Sequence, residues 1–228
     1  FADYIFINTG SKSVIPSIQG IQEAKHIYTS ATIMKETTLP KNLAIIGGGY
    51  IGLELASMYA RYGSQVTVFE LNERLVGRED EDVALEIQHI LENQGVQFKF
   101  KSRVQEVSNQ NEKAVIHYSQ DETRYFHRFD AILLATGRSA NTADLGLENT
   151  GVQMNERGQI IVNEYLQTDV PHIYAMGDVK GGLQFTYISL DDYRIVKDHL
   201  FGNKTRTIHN RGHIPYSVFI SPTFSRVG

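Results

Sequence analysis

A short pattern occurs twice in the chain, and it separates one long segment from the residues on either side. Residues 3–10 read Asp-Tyr-Ile-Phe-Ile-Asn-Thr-Gly, and residues 130–137, 127 positions later, read Asp-Ala-Ile-Leu-Leu-Ala-Thr-Gly. Each copy is an acidic residue, a short apolar run and a Thr-Gly stop, which is typical of a buried parallel strand that ends at a ligand crevice. The repeat therefore predicts two similar α/β domains, one inserted into the other.

A glycine-rich turn lies between the two copies. Residues 43–46 are a short apolar run, followed at once by Gly47, Gly48, Gly49, Tyr50, Ile51 and Gly52. In such a G-x-G-x-x-G turn the first glycine permits a tight exit from the strand, the second lets the backbone approach a pyrophosphate, and the third lets the helix pack close to the sheet. An apolar strand precedes the turn and an amphipathic helix follows it, so it predicts a dinucleotide site rather than a structural glycine turn.

The next predicted strand, residues 65–70, ends in an acidic residue. Glu70 stands 18 positions after Gly52, where a carboxylate accepts the ribose hydroxyls of an adenosine and repels a 2′-phosphate. This position favours NAD(H) over NADP(H). Two alternatives stay open: Glu70 is a solvated carboxylate paired with Arg74, or Arg74 accommodates a 2′-phosphate.

Hydrophobic periodicity predicts an α/β chain with one antiparallel region. Helices are predicted over residues 50–62, 80–94 and 190–200, the first with one apolar face made of Ile51, Leu55, Met58 and Tyr62. Further strands are predicted over residues 96–100, 131–135, 159–163 and 173–176. Three stretches separated by polar turns predict a β-meander over residues 103–107, 113–118 and 124–129.

Composition restricts the partners of the chain. Its 228 residues, 41% hydrophobic, suit a soluble protein of two compact units, and a formal charge of −4 with scattered Lys and Arg argues against nucleic acid and anionic membranes. No apolar run reaches the roughly 18 residues of a membrane span, so the expected compartment is the cytoplasm. The absence of cysteine excludes thiolate metal sites and thiol nucleophiles from this segment. The pair His209 and His213 spans Arg211-Gly212, which favours a loop over a metal site.

Three motifs are similar to those of a known enzyme family. They are Gly-Gly-Gly-Tyr-Ile-Gly-Leu-Glu at residues 47–54, Ala-Thr-Gly-Arg at 135–138, and Thr-Asp-Val-Pro-His-Ile-Tyr-Ala-Met-Gly-Asp at 168–178. In order and spacing the chain resembles the pyridine nucleotide-disulfide oxidoreductases, the FAD-dependent group that contains dihydrolipoamide dehydrogenase, glutathione reductase and mercuric reductase. Residues 182–194 further resemble the bacterial branch linked to reactive-chlorine resistance.

The resemblance implies a domain plan. A Rossmann-like NAD(P)-binding domain with a parallel sheet and a β-meander, residues 32–141, is inserted into an incomplete FAD-binding domain, residues 1–31 and 142–202. Residues 203–228 are then a linker and the start of a dimerisation domain. By the family pattern an FAD glycine loop and a redox cysteine pair lie before this segment and a histidine base lies after it. The chain is thus interpreted as an internal piece of a homodimeric flavoenzyme, without catalytic residues of its own.

The resemblance also implies cofactor contacts. Those to NAD(H) are Gly47, Gly48, Gly49, Tyr50, Ile51, Gly52, Glu54, Glu70 and Gly137. Those to FAD are Thr9, Gly10, Gly177, Asp178, Phe185 and Thr186. In the family, the residue at Tyr50 covers the nicotinamide pocket, the one at Glu54 lies near the nicotinamide amide, and the one at Asp178 binds the flavin ribitol. Without the resemblance, these three are an ordinary helix-start tyrosine, a polar residue near a helix N-terminus and part of a turn.

Two classes of function remain at this point. In the first, NAD(P)H bound at the glycine turn passes hydride to FAD, and electrons continue to a disulfide, a metal ion or another acceptor. In the second, the chain is a nucleotide-binding module without catalysis. In either case this segment alone is expected to bind NADH, to retain FAD poorly and to show no turnover, because the FAD glycine loop is expected outside it.

Overall fold

The strands and helices of this computed structural model, which describes residues 2–228, follow the apolar runs of the sequence. In chain order the strands are β1 (Ile5–Ile7), β2 (Ser11–Ser13), β3 (Ile27–Thr29), β4 (Asn42–Ile46), β5 (Gln65–Phe69), β6 (Gln97–Lys99), β7 (Arg103–Gln110), β8 (Lys113–Gln120), β9 (Thr123–Phe129), β10 (Ala131–Leu134), β11 (Arg138–Ala140), β12 (Ile173–Ala175), β13 (Pro215–Val218) and β14 (Phe224–Val227). The helices are α1 (Ser30–Ile33), α2 (Tyr50–Arg61), α3 (Glu81–Asn93) and α4 (Thr186–Phe201).

The chain divides into two compact units. The inserted unit consists of Ser13–Gly137 and Ser217–Phe224, and the flanking unit consists of residues 2–12 together with Arg138–Tyr216 and Ser225–Gly228. The sequence placed the first division after residue 31. The structure places it earlier because β3 pairs in parallel with β10, so the chain has already joined the sheet of the inserted unit by Ile27.

A five-stranded parallel sheet forms the centre of the inserted unit, in the order β3-β10-β4-β5-β6. Its central strands β10 and β4 are almost continuous apolar runs, as expected for strands covered on both faces. In β4, Leu43 and Ile45 face a core shared with α2 and α3, whereas Ala44 and Ile46 face the core under the β-meander. Burying a leucine or isoleucine side chain stabilises the fold by about 1.5–3 kcal/mol.

The predicted β-meander is confirmed, with β7-β8-β9 antiparallel throughout. Its strands are joined by two-residue turns, Asn111-Glu112 and Asp121-Glu122, and all four residues have positive φ. This conformation matches the right-handed twist of a hairpin. The first turn is tighter than the sequence indicated, because β7 continues to Gln110.

The predicted inner face of the first long helix is wrong. Tyr62 is 64% exposed, and the buried positions of α2 are instead Gly52, Leu53, Ala56, Ser57 and Tyr59. The reason is the close approach at Gly52, where a Cβ atom would lie 2.1 Å from the Gly47 carbonyl oxygen. This contact turns the Gly52 side of the helix inward and leaves Ile51, Leu55 and Met58 at the border of the core.

Two other predictions in the flanking unit need correction. Residues 159–163 are not a strand; Ile160 makes only an isolated bridge with Met154. The local hydrogen bonds of Asn155, whose side chain accepts from the Arg157 and Gln159 N–H groups, hold a turn there instead. Helix α4 begins at Thr186, four residues before its predicted start, because burial of Ile188 outweighs the weak helix propensity of β-branched residues.

The flanking unit is built on a parallel pair, β1 with β12. Ile7, Ile173 and Ala175 of this pair lie in one apolar cluster, and α4 contributes Ile195 and Val196 to a second. Tyr4, Ile5 and Phe6 are by contrast 46%, 42% and 46% exposed. One strand of the unit therefore presents a largely apolar surface to solvent.

The two Thr-Gly copies make equivalent contacts. Thr9 Oγ1 donates to the Asn141 carbonyl at 2.8 Å, and the Asn141 N–H donates to the carbonyl of the glycine after Thr9 at 3.0 Å. Thr136 Oγ1 donates to the Val14 carbonyl at 2.9 Å, and the Val14 N–H donates to the carbonyl of the glycine after Thr136 at 3.0 Å. Each threonine thus holds the segment that follows the other copy. The repeat in sequence is a repeat in hydrogen bonding.

Asp130, the first residue of the second copy, supports the start of β4 and should contribute to stability. Its carboxylate accepts from the Asn42 N–H at 2.8 Å and from Lys113. Burial by itself raises the pKa of Asp130, but the hydrogen bonds from Lys113 and Asn42 outweigh burial and bring the pKa below its usual value. Asp130→Asn should therefore lower the unfolding free energy at pH 7 by about 1–2 kcal/mol, measured by urea denaturation.

The lowered pKa of Asp130 also predicts how its contribution to stability changes with pH. Because the folded-state pKa of Asp130 is lowered, its stabilisation is present above the unfolded-state pKa of about 4 and is lost as the pH falls through the folded-state value. The difference between wild type and Asp130→Asn should shrink below that pH. Asp121→Asn, at an exposed turn, is the matched control and should change little. A constant difference from pH 7 to pH 3 would contradict the assignment.

Candidate functional site

The glycine turn lies at the carboxyl ends of three neighbouring strands, β5, β4 and β10. The chain leaves β4 at Gly47, whose φ of +111° is accessible mainly to glycine. The Gly47 N–H donates to the carbonyl of Phe69, the last residue of β5, at 2.9 Å. On its other side, a Cβ atom at Gly47 would lie 2.4 Å from the Ala135 carbonyl oxygen. The turn therefore fits closely between two strand ends.

Helix α2 begins at this turn with an uncapped N-terminus. The N-cap residue is Gly49, which offers no side-chain acceptor, and the first turn of the 12-residue helix contains no acidic residue. Gly49 is exposed, and a Cβ atom there would meet nothing within 4 Å. Backbone N–H groups and the positive end of a helix dipole make such a place suitable for an anion. The close packing expected at Gly52 is observed, and the approach of Gly49 to a pyrophosphate stays a prediction.

Glu70 is turned inward beside the glycine turn. It is 8% exposed; its Oε2 atom accepts from the Gly48 N–H at 2.7 Å, and its Oε1 atom accepts from the N–H and side-chain amide of Asn72 at 2.8 and 2.7 Å. A carboxylate has about four acceptor positions, so about one remains. Glu70 thus ties the end of β5 to the glycine turn.

The alternative of a solvated Glu70 paired with Arg74 is wrong. Glu70 is buried and bonded to backbone groups, and the Arg74 guanidinium donates to the Gly77 carbonyl at 3.2 Å. A buried carboxylate keeps its hydrogen-bond donors in preference to an exposed guanidinium, because leaving backbone N–H groups unpaired is costly. Arg74 remains partly exposed on the loop after β5.

The loop between β5 and α3 packs directly on the glycine turn. The Val76 N–H donates to the Gly48 carbonyl at 3.1 Å, and Leu75 lies so near that its Cδ2 atom would be 2.7 Å from a Cβ at Gly48. Further along this loop, Glu79 is 2% exposed, and its Oε1 atom accepts from the Tyr50 hydroxyl at 2.5 Å. The sequence did not indicate these contacts, because a loop residue carries no periodic signal of burial.

Three other predicted NAD contacts have different surroundings. Glu54, one turn into α2, accepts from the Phe219 N–H at 2.9 Å. Ile51 is partly buried on the same helix. Gly137, with φ of +110°, is exposed and has nothing within 4 Å of its Cβ position. One carboxylate oxygen of Glu54 is therefore already bonded to a backbone N–H of the same unit.

The predicted FAD contacts gather in the flanking unit around Asp178. This residue lies in the 3-10 turn Gly177–Lys180, which follows β12. Its Oδ2 atom accepts from the Ser11 hydroxyl at 2.6 Å, and Ser11 in turn accepts from Arg138 Nε at 2.7 Å. Gly177 approaches Asn8, since a Cβ there would lie 2.7 Å from the Asn8 Oδ1 atom. The first Thr-Gly copy, residues 3–10, and the Gly177-Asp178 motif are far apart in sequence but lie next to each other in the flanking unit.

A buried charge network holds the same turn from α4. The Gly177 N–H donates to Asp192 Oδ2 at 2.8 Å, and Lys180 Nζ lies 3.3 Å from that oxygen. Arg211 Nη2 donates to Asp192 Oδ1 at 2.6 Å, and Arg211 Nε lies 3.1 Å from Asp191 Oδ2. Asp192 is fully buried, so removing one cation would leave an uncompensated charge. This network was not predicted from the sequence, although Asp191 and Asp192 lie within residues 182–194, which carry the resemblance to the bacterial branch.

The remaining predicted FAD contacts lie at the start of α4 and beside β1. Phe185 is the N-cap of α4, Thr186 is its first residue, and the Phe185 ring stacks on Tyr216 with ring centres 4.9 Å apart. Thr9 and Gly10 are held by Asn141, as described above. Within residues 2–228 there is no cluster of three metal-ligating side chains, and no helix has the length and apolarity to cross a membrane.

Comparison with known proteins extends these observations. A family model described as pyridine nucleotide-disulphide oxidoreductase matches residues 1–192. RclA of Escherichia coli strain K12, a probable pyridine nucleotide-disulfide oxidoreductase, is 46% identical over 224 residues, which cover 98% of this chain and 50% of RclA. Mercuric reductase of Streptomyces lividans is 35% identical over 227 residues, covering 100% of this chain and 47% of that enzyme.

Solved structures give the same result. The Cu(II) complex of the HOCl-induced flavoprotein disulfide reductase RclA from Escherichia coli superposes with a TM-score of 0.95 at 46% identity, covering 100% of this chain and 51% of that one. The chain thus spans about half the length of the curated relatives it matches.

The close fit at the glycine turn predicts losses of stability of different size for two alanine substitutions. In Gly52→Ala the new Cβ atom would meet the Gly47 carbonyl oxygen at 2.1 Å, so the turn must shift and the unfolding free energy should fall by about 1–3 kcal/mol. Gly49→Ala points into open space at a helix N-cap and should cost less than about 1 kcal/mol. Urea denaturation of both variants checks the order, and equal losses would show that the helix does not rest on the turn.

Proposed function

The chain belongs to the pyridine nucleotide-disulphide oxidoreductase family, as its three motifs predicted, and on this basis we propose that it is the NADH-binding part of an FAD-dependent oxidoreductase. In the proposed reaction hydride passes from NADH to FAD, and electrons continue to a disulfide, a metal ion or another acceptor. One observation carries the proposal: an exposed, uncapped helix N-terminus at the glycine turn lies beside a buried carboxylate at the next strand end.

The inserted unit supplies the proposed NADH site. Gly47, Gly48 and Gly49 bring backbone close to the pyrophosphate, and Ile51 and Gly52 continue the N-terminal turn of α2 toward it. The open side of Gly49 fits such a group, because a side chain there would occupy the space that the phosphates need. Tyr50, Glu54 and Gly137 are proposed to border the nicotinamide end of the cofactor.

Glu70 supports the choice of NADH. Its carboxylate is held beside the glycine turn by backbone N–H groups and would repel a 2′-phosphate at the adenosine ribose. About one acceptor position is open for a ribose hydroxyl. Binding of both hydroxyls would require Asn72 or Gly48 to give up its bond.

The flanking unit supplies the proposed FAD contacts. Asp178 lies in a turn whose backbone is held by Asp192 through the Gly177 N–H. The hydrogen bond from the Ser11 hydroxyl fixes the orientation of the Asp178 carboxylate. A carboxylate with remaining acceptor positions suits the hydroxyls of a ribitol chain. Thr9, Gly10 and Gly177 bring backbone near it, and Phe185 and Thr186 begin a 16-residue helix with no acidic residue in its first turn. The N-terminal end of such a helix favours negative charge on a bound group.

The proposal keeps the domain roles assigned from the sequence, with the first boundary moved to that of the inserted unit, before Ser13. The inserted unit binds NAD(H), the flanking unit belongs to the FAD-binding domain, and residues 203–228 are a linker followed by the start of a dimerisation domain. The last segment already contributes to folding, since Val218 and Ile220 lie in the core of the inserted unit. The homodimer and a cytoplasmic location are proposed for the whole protein.

Substitution of Glu70 tests the cofactor preference. Wild type should bind NADH more tightly than NADPH. Glu70→Gln removes the charge while keeping an acceptor, so it should reduce the ratio of the NADPH dissociation constant to the NADH dissociation constant by about tenfold or more. Glu70→Ala should reduce it further. Calorimetric titration with each cofactor measures the ratios. Asn72→Ala is the control, because it loosens Glu70 without removing the charge.

Two results would contradict the site as proposed. Equal or tighter NADPH binding by wild type would mean that Arg74, and not Glu70, sets selectivity. Unchanged binding of both cofactors by Gly49→Val would place the pyrophosphate elsewhere, because a branched side chain at Gly49 fills the open side of the turn.

Substitution of Asp178 tests the FAD contact in the whole flavoprotein. Asp178→Ala should lower the FAD retained per protein after desalting, with a dissociation constant about tenfold higher, since a hydrogen bond to a charged group is lost. Asp178→Asn should retain an intermediate amount. Absorbance of the flavin measures occupancy, and the exposed Asp169→Asn serves as the control. Full retention in Asp178→Ala would mean that Asp178 serves only to anchor Ser11.

A further inference from the structure

Glu79 is a buried acid that the proposed cofactor contacts do not use. It lies in the loop between β5 and α3, and its side chain is almost completely removed from solvent, with 2% exposed. Burying a carboxylate is costly unless hydrogen bonds compensate. One such bond comes from the Tyr50 hydroxyl, at 2.5 Å. An apolar side chain would fill the same volume without this cost, so the carboxylate requires an explanation.

The backbone of the loop places Glu79 at a fixed distance from the glycine turn. The Glu79 N–H donates to the Val76 carbonyl at 2.8 Å, and the Val76 N–H donates to the Gly48 carbonyl at 3.1 Å. Val76 has a φ of +36°, which a β-branched residue rarely adopts. Strained backbone of this kind persists only where surrounding contacts hold it, and it is common at functional sites.

Tyr50 connects this loop to the helix N-terminus. It is the first residue of α2, directly after the open Gly49, so the direction of its ring decides how much of the space in front of the N-terminal amides is free. In the structure the ring is partly buried, packs against the core of the inserted unit, and its hydroxyl is bonded to the loop. The bond to Glu79 thus fixes the ring on the loop side.

We propose that Glu79 is a positioning residue that holds the Tyr50 ring on the loop side and keeps the nicotinamide end of the dinucleotide site open. This inference rests on the proposed NADH site. Without the bond the ring also occupies orientations that obstruct the site, and the binding-competent fraction of the protein falls. The apparent dissociation constant rises in inverse proportion to that fraction.

The test is a double-mutant cycle in the flavin-loaded protein. Tyr50→Phe removes the donor, Glu79→Met removes the acceptor at similar volume, and Glu79→Gln keeps a neutral acceptor. The dissociation constant for NADH should rise about tenfold in the first two, as expected if about a tenth of the protein stays competent, and by a smaller factor in Glu79→Gln. The rate of flavin reduction at saturating NADH should stay within about twofold in the two Glu79 variants, because the bound geometry is the same.

The combined variant carries the decisive comparison. If Glu79 acts through Tyr50, then Tyr50→Phe with Glu79→Met should bind NADH no more weakly than either single variant, whereas independent roles would give multiplied losses. Glu81→Gln, an exposed carboxylate two residues further along, is the matched control and should bind like wild type. Circular dichroism and thermal melting accompany each variant, and Glu79→Gln and Tyr50→Phe preserve shape if Glu79→Met fails to fold.

Three outcomes overturn the inference. Multiplied losses in the combined variant would give Glu79 and Tyr50 separate roles. Unchanged affinity in folded Tyr50→Phe and Glu79→Gln would show that the bond is only structural. Tighter NADH binding in those variants would show that the bond holds the ring over the site. If wild type itself binds no NADH, the proposed function fails, and the inference fails with it.

Discussion

The hydrogen bond from the Gly48 N–H to the Glu70 carboxylate is the contact on which the candidate dinucleotide site depends. It joins the end of β4 to the end of β5, and it places a negative charge next to the backbone that starts α2. The bond is kept because its loss would leave the buried Gly48 N–H unpaired and cost the carboxylate one of its donors. The same residue thereby shapes the turn and, in the proposed function, reads the ribose. Its two roles cannot be separated by deleting the side chain, so a neutral isostere is the informative substitution.

Each unit places its candidate ligand contacts where a parallel strand ends, and each stabilises them differently. In the inserted unit, backbone amides and a single carboxylate define the turn. In the flanking unit, the turn at Gly177 is held by Asp192 together with two cations, Lys180 and Arg211. Burying the charges of the second arrangement is costly, and the buried Asp192 carboxylate therefore needs all of its partners in place. In both units the threonine that follows the repeated strand makes an equivalent hydrogen bond to a backbone carbonyl.

Local patterns were sufficient for much of the fold. Four of the five strands of the parallel sheet, the β-meander, both long helices of the inserted unit and the glycine turn were predicted within a few residues of their bounds, whereas the edge strand β3 was not predicted. These elements are readable because their periodicity and their glycine positions act over short distances along the chain. The face of α2 was not readable in this way. The close approach of Gly52 to Gly47 decides it, and a period of 3.6 residues describes several candidate faces equally well.

The sequence by itself determined the family, the strand-turn-helix that presents the N-terminus of α2, and the residue types at the proposed cofactor contacts. Only the tertiary structure decided that Glu70 is buried, that Glu79 meets Tyr50, and that Ser11 links Arg138 to Asp178. The physical reason is that these contacts join residues far apart in sequence, that the loop carrying Glu79 has no periodicity, and that the strand beginning at Ser11 is only three residues long. Whether a loop carboxylate faces water or a neighbouring hydroxyl depends on the packing of the whole unit.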